Sequence, residues 1–285
     1  MEKGRIKVMW YNVLRGFHKK ELNGFTFEPE RLKAVKRVVA TANPDILFIG
    51  EGDFNPKCKI KGERIKTIDY QKEFNYPYFY YSEPDETSRK GEVILSKIPF
   101  VAENLSEGNY STTNYTNIKA SFNINNKKVN LNIVHPYPTI SEDEKAKFIK
   151  KVLAKSKNPY LLLGDFNALS PEDKYKEEEL FKLFYLFSKD KEAALNNVKG
   201  SIQTLMIKEI IKHGLIDTFK AKNKCQVITL PTKKYSPFDD KPTGIRLDYI
   251  FCSKDFNVVE SGIIQNKLAD IASDHYPIYA DLELK

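Results

Sequence analysis

Cysteine is scarce. The three present in 285 residues, Cys58, Cys225 and Cys252, are odd in number and widely spaced, which excludes a disulfide framework and any Cys-x-x-Cys metal site. A reducing, cytoplasmic setting is the simplest fit. Long apolar runs are also missing: no segment approaches the roughly 20 residues of a membrane span. The opening "MEKGRIKVMWYNV" passes from charges straight into strand-like sequence, without an apolar stretch of signal-peptide length. No Pro/Gly/Ser linker, internal repeat or low-complexity tract divides the chain. The expectation is therefore one soluble domain over 1–285, monomeric, with no membrane span and no protein partner implied.

What is abundant is positive charge. Lys and Arg number 46 against 38 Asp and Glu, a net charge of +8. Nucleic acid or an anionic lipid surface would suit that balance as a partner; keeping a lysine-rich protein dispersed explains it equally well.

Short β-rich runs recur, bounded largely by Gly, Pro, Asn and Asp: "RIKVMWYNV", "DILFIGE", "PYFYYS", "EVILSKIPF", "NIKASFNI", "KVNLNIVH", "PYLLLGDF", "LDYIFCS" and "PIYADLEL". Between them, "EPERLKAVKRVVATA" spaces Leu32, Val35, Val38 and Val39 by three and four, with Pro29 suited to a first helical turn. "SEDEKAKFIKKVLAK" opens on Ser141 with acidic residues first and basic ones last, as the helix dipole favours. From about Glu177 to His213 the pattern predicts two helices separated around Asn196 to Gly200, stopped by Gly214. Strands that alternate apolar and polar residues need an opposing layer, so the predicted fold is α/β: two packed mixed sheets flanked by helices.

Polar residues stand at the ends of six of these runs: Asn12, Glu51, His135, Asp165 with Asn167, Asp248, and Asp274 with His275. Any one alone reads as a turn or cap; the repetition reads as a site built where strands converge. Carboxylate and amide oxygens without cysteine suit a hard cation, Mg²⁺ or Mn²⁺, better than zinc. Two histidines among carboxylates suit proton transfer near neutral pH. No Ser or Cys nucleophile accompanies them, so attack by water on a phosphate ester is the economical chemistry.

In order along the chain, "WYNVL", "IGE", "GEVILSKIPF", "NIVH", "GDFNALSPED", "IRLDYIF" and "SDHYPIYADLEL" resemble the endonuclease/exonuclease/phosphatase superfamily, whose fold is the four-layered, DNase I-like α/β sandwich. The resemblance runs from about Trp10 to the C-terminus, and its weight lies in the ordered set rather than in any single motif. It implies Glu51 as principal metal ligand, Asn12 beside it and Asp274 completing the metal side. It implies His275 as the general base oriented by Asp248, Asp165 and Asn167 orienting water or the scissile phosphate, and His135 holding a phosphoryl oxygen or assisting the leaving oxygen. "YYSEPDE" adds Glu83 as a candidate to orient His135. Three positions depart from the family pattern. Gly52 follows Glu51 where Val or Ile is usual, which predicts unusual backbone there. Pro136 follows His135 and restricts it toward extended conformations. Leu14 stands where abasic-site endonucleases carry a second metal-binding aspartate, which, with His135 in place of that branch's Tyr, counts against that activity.

For substrate contact, Lys57 and Lys59 lead a basic stretch, with Lys61, Arg64 and Lys66, that is interleaved with aromatics and fits a nucleic-acid backbone. Arg246 is a further candidate for a phosphate contact, or else for an ion pair. The leading expectation is a metal-dependent nuclease. An inositol-phosphate phosphatase or a sphingomyelinase-like phosphodiesterase is the alternative, and a degenerate nucleic-acid-binding module is the alternative that is not an enzyme.

Overall fold

The strand Arg5–Asn12 alternates so that Ile6, Val8 and Trp10 face one side and Met9 and Tyr11 the other, and both sets are buried. The leucine run of Tyr160–Asp165 divides likewise, Leu161 and Leu163 against Leu162. A strand apolar on both faces must be covered on both. That requirement produces the layers seen in the computed structural model, which describes residues 4–54, 68–82, 90–105, 115–236 and 243–285.

One sheet orders its strands Phe256–Ile263, Ile278–Leu284, Arg5–Asn12, Ile46–Phe54, Lys90–Ser96 and Tyr78–Tyr81; the other, Ile216–Asp217, Asp248–Cys252, Tyr160–Asp165, Lys127–Pro136, Tyr115–Ile124 and Phe100–Asn104. Both are mixed: Arg5–Asn12 runs parallel to Ile46–Phe54 and antiparallel to Ile278–Leu284, while Tyr160–Asp165 runs parallel to Lys127–Pro136 and antiparallel to Asp248–Cys252. Between the sheets lies a core of Val8, Trp10, Phe48, Ile94, Ile133 and Leu163 among others. The helix Pro29–Ala42 covers the outside of the first sheet through Val35, Val38 and Val39. The helices Glu142–Ala154 and Leu205–Lys212 cover the second through Ile149, Met206 and Ile210. The result is the expected α/β sandwich of two mixed sheets flanked by helices.

Local signals held at helix starts. Pro29 opens its helix, and Ser141 forms a reciprocal capping box with Glu144. Two expectations are corrected. "EVILSKIPF" is not one strand: after Ser96 the chain crosses between sheets, and Phe100–Asn104 pairs with Tyr115–Ile124 at the far edge of the second. The region after Glu177 holds three helices, Glu177–Ser188, Lys191–Ser201 and Leu205–Lys212, and the middle one runs straight through Asn196–Gly200. The break falls at Lys189, whose φ of 58° ends the first helix, and Asp190 caps the second by accepting from the Ala193 N–H. The hairpin His18–Glu21/Gly24–Phe27 and the strand Phe256–Ile263 were not anticipated.

Candidate active site

Each predicted site side chain except the substrate-binding ones stands at the same end of the sandwich. Asp165 and Asp248 are direct cross-strand partners in the second sheet, and Asn12 closes the neighbouring strand of the first. The chain bends out of its strand at Gly164, where φ is 144° and a Cβ would fall 1.9 Å from the Val134 carbonyl oxygen. Only glycine permits that approach, and it sets Asp165 at the floor. Glu51 sits at φ 55° inside an irregularity between Ile49 and Asp53, the unusual backbone that Gly52 implied. A side chain on either neighbouring glycine would meet Trp10 or Ile49.

Two imidazoles frame the floor. His275 Nδ1 lies 2.8 Å from Asp248 Oδ2, and His135 Nδ1 lies 2.9 Å from Glu92 Oε1. Their Nε2 atoms approach the same oxygen, Asp165 Oδ2, at 3.7 and 3.5 Å. A carboxylate on Nδ1 fixes the ring and leaves Nε2 for proton exchange. Burial disfavours the charged ring of His275, but Asp248 and Asp165 outweigh it and carry its pKa well above the ordinary value. Burial likewise opposes the charge on His135, yet Glu92, Asp165 and Glu51 raise its pKa to about 9. Asp165 is itself pushed up by burial and by Asp248.

Glu51 lies on the other side. Its Oε2 accepts from the Arg15 N–H at 2.9 Å and its Oε1 from Lys90 Nζ at 2.7 Å. Burial works against its ionisation, but Lys90 and His135 prevail and bring its pKa down to about 2. Asn12 Nδ2 bridges Glu51 Oε1, 3.5 Å, and Asp165 Oδ2, 3.3 Å, while Asn12 Oδ1 accepts from the Leu14 N–H. Asp274 joins them at the cavity, its pKa raised by burial. Asn167, at φ 45°, is held on three sides: its N–H donates to Asp165 Oδ1, its Nδ2 to the Pro136 carbonyl, and its own carbonyl accepts from Lys145 Nζ.

A cavity of about 480 Å³ opens over this floor. Glu51, His135, Asp165, Asn167, Asp274 and His275 all line it. Oxygen donors without a thiolate fit a hard divalent cation. Asp165, Asp248 and His275 present ligand atoms within 4.8 Å of one another, but Asp248 is already engaged by His275 and by Trp10 Nε1 at 2.7 Å. Glu51, Asn12 and Asp274 are further oxygen-bearing groups at the same floor.

The model of the Endonuclease/Exonuclease/phosphatase family matches residues 9–275. The chain belongs to that family. No curated protein sequence matches it significantly. Among solved structures, the endonuclease/exonuclease/phosphatase from Beutenbergia cavernae is similar at TM-score 0.65 and 18% identity, over 99% of this chain and 72% of that one. TDP2 of D. rerio, solved with single-strand DNA product, is similar at 0.60 and 18%, over 99% and 100%. An AP endonuclease from Archaeoglobus fulgidus is similar at 0.61 and 17%, over 96% and 98%. At these identities the likeness is one of fold, and the family as a whole supports phosphoester hydrolysis.

Arg246 is a correction. It is 1% exposed, its Nε and Nη1 lie 2.8 and 2.7 Å from Asp173 and Asp217, and Tyr249 stacks under its guanidinium. It forms an internal ion cluster and does not reach the cavity, which its neighbours Ile245 and Leu247 do line. Lys57, Lys59 and the rest of that basic stretch, and Glu83, lie outside the described residues. The carboxylate on His135 Nδ1 is Glu92. Glu92 also accepts from the Glu51 N–H at 2.9 Å, and so braces both sides of the site. An acidic residue inside the apolar run "EVILS" was the available signal for it. Trp10 and Lys90 are further unpredicted contributors, to Asp248 and Glu51 respectively.

Proposed function

We propose that this protein is a Mg²⁺- or Mn²⁺-dependent phosphodiesterase acting on nucleic acid, a single catalytic unit in which water is the nucleophile. The observation that carries the reading is the pair of carboxylate-anchored imidazoles whose Nε2 atoms converge on Asp165 Oδ2. His275, held by Asp248, takes the proton from water in its neutral form, which a cation beside Asp274 would favour by offsetting the carboxylate charge that raises its pKa, as the water oxygen bonds to phosphorus. The ester P–O bond breaks on the opposite side, and His135, kept protonated by Glu92, donates to the departing oxygen or steadies a phosphoryl oxygen. Asp165 and Asn167 position water and phosphate between the rings. Glu51, Asn12 and Asp274 would hold the cation, which supplies positive charge against the phosphoryl oxygens. The D. rerio structure with single-strand DNA product supports nucleic acid as the substrate class.

The test offers purified protein single-stranded and duplex DNA, RNA, inositol phosphates and sphingomyelin, each with Mg²⁺, Mn²⁺ or EDTA. Nucleic acid should be cut with either metal and not with EDTA. Hydrolysis of lipid or inositol phosphate alone would overturn the reading.

A further inference from the structure

The cavity is larger than a phosphate needs, and its far arm differs from the catalytic floor. The arm is built by the two helices Glu177–Ser188 and Lys191–Ser201, which pack Leu180, Leu183 and Val198 onto Leu169, Ile245 and Leu247 as an apolar cluster separate from the three cores of the sandwich. From the first helix Phe184 and Phe187 line the cavity; from the second, Asn197 and Ser201 do. Spacings of three and four put each pair on one helix face. Phe187 is 52% exposed, a large aromatic ring left at the mouth of a polar site. The side chains of Asn197 and Ser201 have no hydrogen-bond partner among the described residues. The arm therefore offers aromatic and aliphatic walls beside one amide and one hydroxyl that are not engaged elsewhere.

These features constrain an occupant. Additional phosphates, as on an inositol polyphosphate, would be desolvated against apolar walls without matching cations. None of the Lys and Arg residues that line the cavity lies on these two helices: Arg15 stands beside Glu51 through its own N–H, and Lys90 and Lys145 are engaged by Glu51 and by Glu142 with the Asn167 carbonyl. An acyl chain would satisfy the walls but leave the amide and hydroxyl unused. A flat, neutral heterocycle satisfies both, because rings stack on it while an Asn amide matches a donor and an acceptor on its edge.

We propose that this arm is a nucleobase subsite, which receives the base of a nucleotide adjoining the scissile phosphate. The proposal rests on the nucleic-acid reading above and sharpens it. A base inside a duplex hides its faces and its edge, so the substrate must present that nucleotide unpaired.

The experiment compares single-stranded oligonucleotides that differ only in carrying a base or a tetrahydrofuran abasic analogue on the nucleotide flanking the cut, on either side. The base should raise kcat/KM by about 10- to 100-fold, the range expected for loss of one stacked base. Phe187→Ala and Asn197→Ala, both at exposed positions, should each remove much of that advantage. Equal cleavage of base and abasic substrates on both sides would overturn the subsite while leaving the nuclease reading intact. If no phosphodiester is cleaved, the nuclease reading fails, and calorimetric binding of nucleoside 5′-monophosphate against deoxyribose 5-phosphate decides the subsite separately. Tighter binding of the nucleotide, weakened by Asn197→Ala, supports the subsite; equal binding refutes it.

Discussion

Arg246 and Asp248 stand two residues apart and are equally buried, at 1% exposure each, yet they belong to opposite kinds of charge cluster. Arg246 closes on itself: Asp173 and Asp217 take its guanidinium, Lys220 pairs with Asp173, and no part of this ion group lines the cavity. Asp248 anchors His275, and from there the chain of partners runs to Asp165 and the solvent-accessible floor. The first cluster balances Arg246 and Lys220 against Asp173 and Asp217 and contributes structure. The second holds several carboxylates and two imidazoles around an open cavity. Burial and charge alone therefore do not mark a site; what does is whether the partners enclose one another or converge on a cavity.

Perturbing each cluster should separate activity from stability. The largest effect is expected for His275→Ala: turnover should fall about 10³- to 10⁴-fold for loss of a general base. Asp248 keeps its Trp10 Nε1 donor and the lost ring borders the cavity, so the unfolding free energy should change by only about 1–2 kcal/mol. Steady-state kinetics beside urea unfolding would show this, and a variant that keeps full turnover removes His275 from the chemistry. Arg246→Met should do the reverse. It leaves Asp217 buried without its cation and Asp173 with Lys220 alone, at a cost of about 3–5 kcal/mol in urea unfolding, while kcat/KM per folded molecule stays within about threefold. A specific loss of substrate affinity would instead return Arg246 to the binding surface.

The third prediction concerns pH in metal-free protein. Glu51 has its pKa lowered from 4.5 to about 2, so its contribution is full above pH 4.5 and is lost as pH falls toward 2. The stability gap between wild type and Glu51→Gln should then be about 3 kcal/mol at neutral pH and vanish at the acid end. His135 has the opposite sign. With its pKa raised from 6.5 to about 9, its contribution is full below pH 6.5 and lost as pH rises through 9. Denaturation curves in EDTA across pH test both, and a gap for Glu51 that does not vary with pH would contradict its pairing with Lys90. The smallest effect is expected for Glu92→Gln, which keeps a hydrogen-bonding side chain beside His135 but removes the charge. Turnover at neutral pH should drop by up to about fourfold as the His135 pKa falls back toward 6.5 and its protonated fraction declines. The alkaline limb of the rate profile should move down from near pH 9, and a limb that stays in place would separate Glu92 from the proton transfer.

Much of this was legible along the chain. Asn12 and Asp165 close apolar strands, Asp248 opens one and Glu51 follows the apolar run of another, and ordered motifs of that type identify the family without coordinates. Ser141 and Pro29 announced their helices because capping and the missing proline N–H act within a few residues. Arg246 and Glu92 were misjudged or missed for one reason: the meaning of each depends on partners 29 to 73 residues away in sequence for Arg246, and 43 for Glu92. The same distance hid the crossing after Ser96, since Phe100–Asn104 is assigned to its sheet by pairing with Tyr115–Ile124 and not by its own composition.

By itself, then, the sequence determined which residue types end each strand, the two-faced burial that demands a layered sandwich, and the donor set that favours a hard cation, because these are local properties of side-chain chemistry and period. Tertiary structure decided which carboxylate orients which histidine, that Arg246 turns inward, and that the helices after Glu177 raise an aromatic wall over the floor. Those outcomes depend on long-range packing, which joins groups that no short stretch of chain brings together.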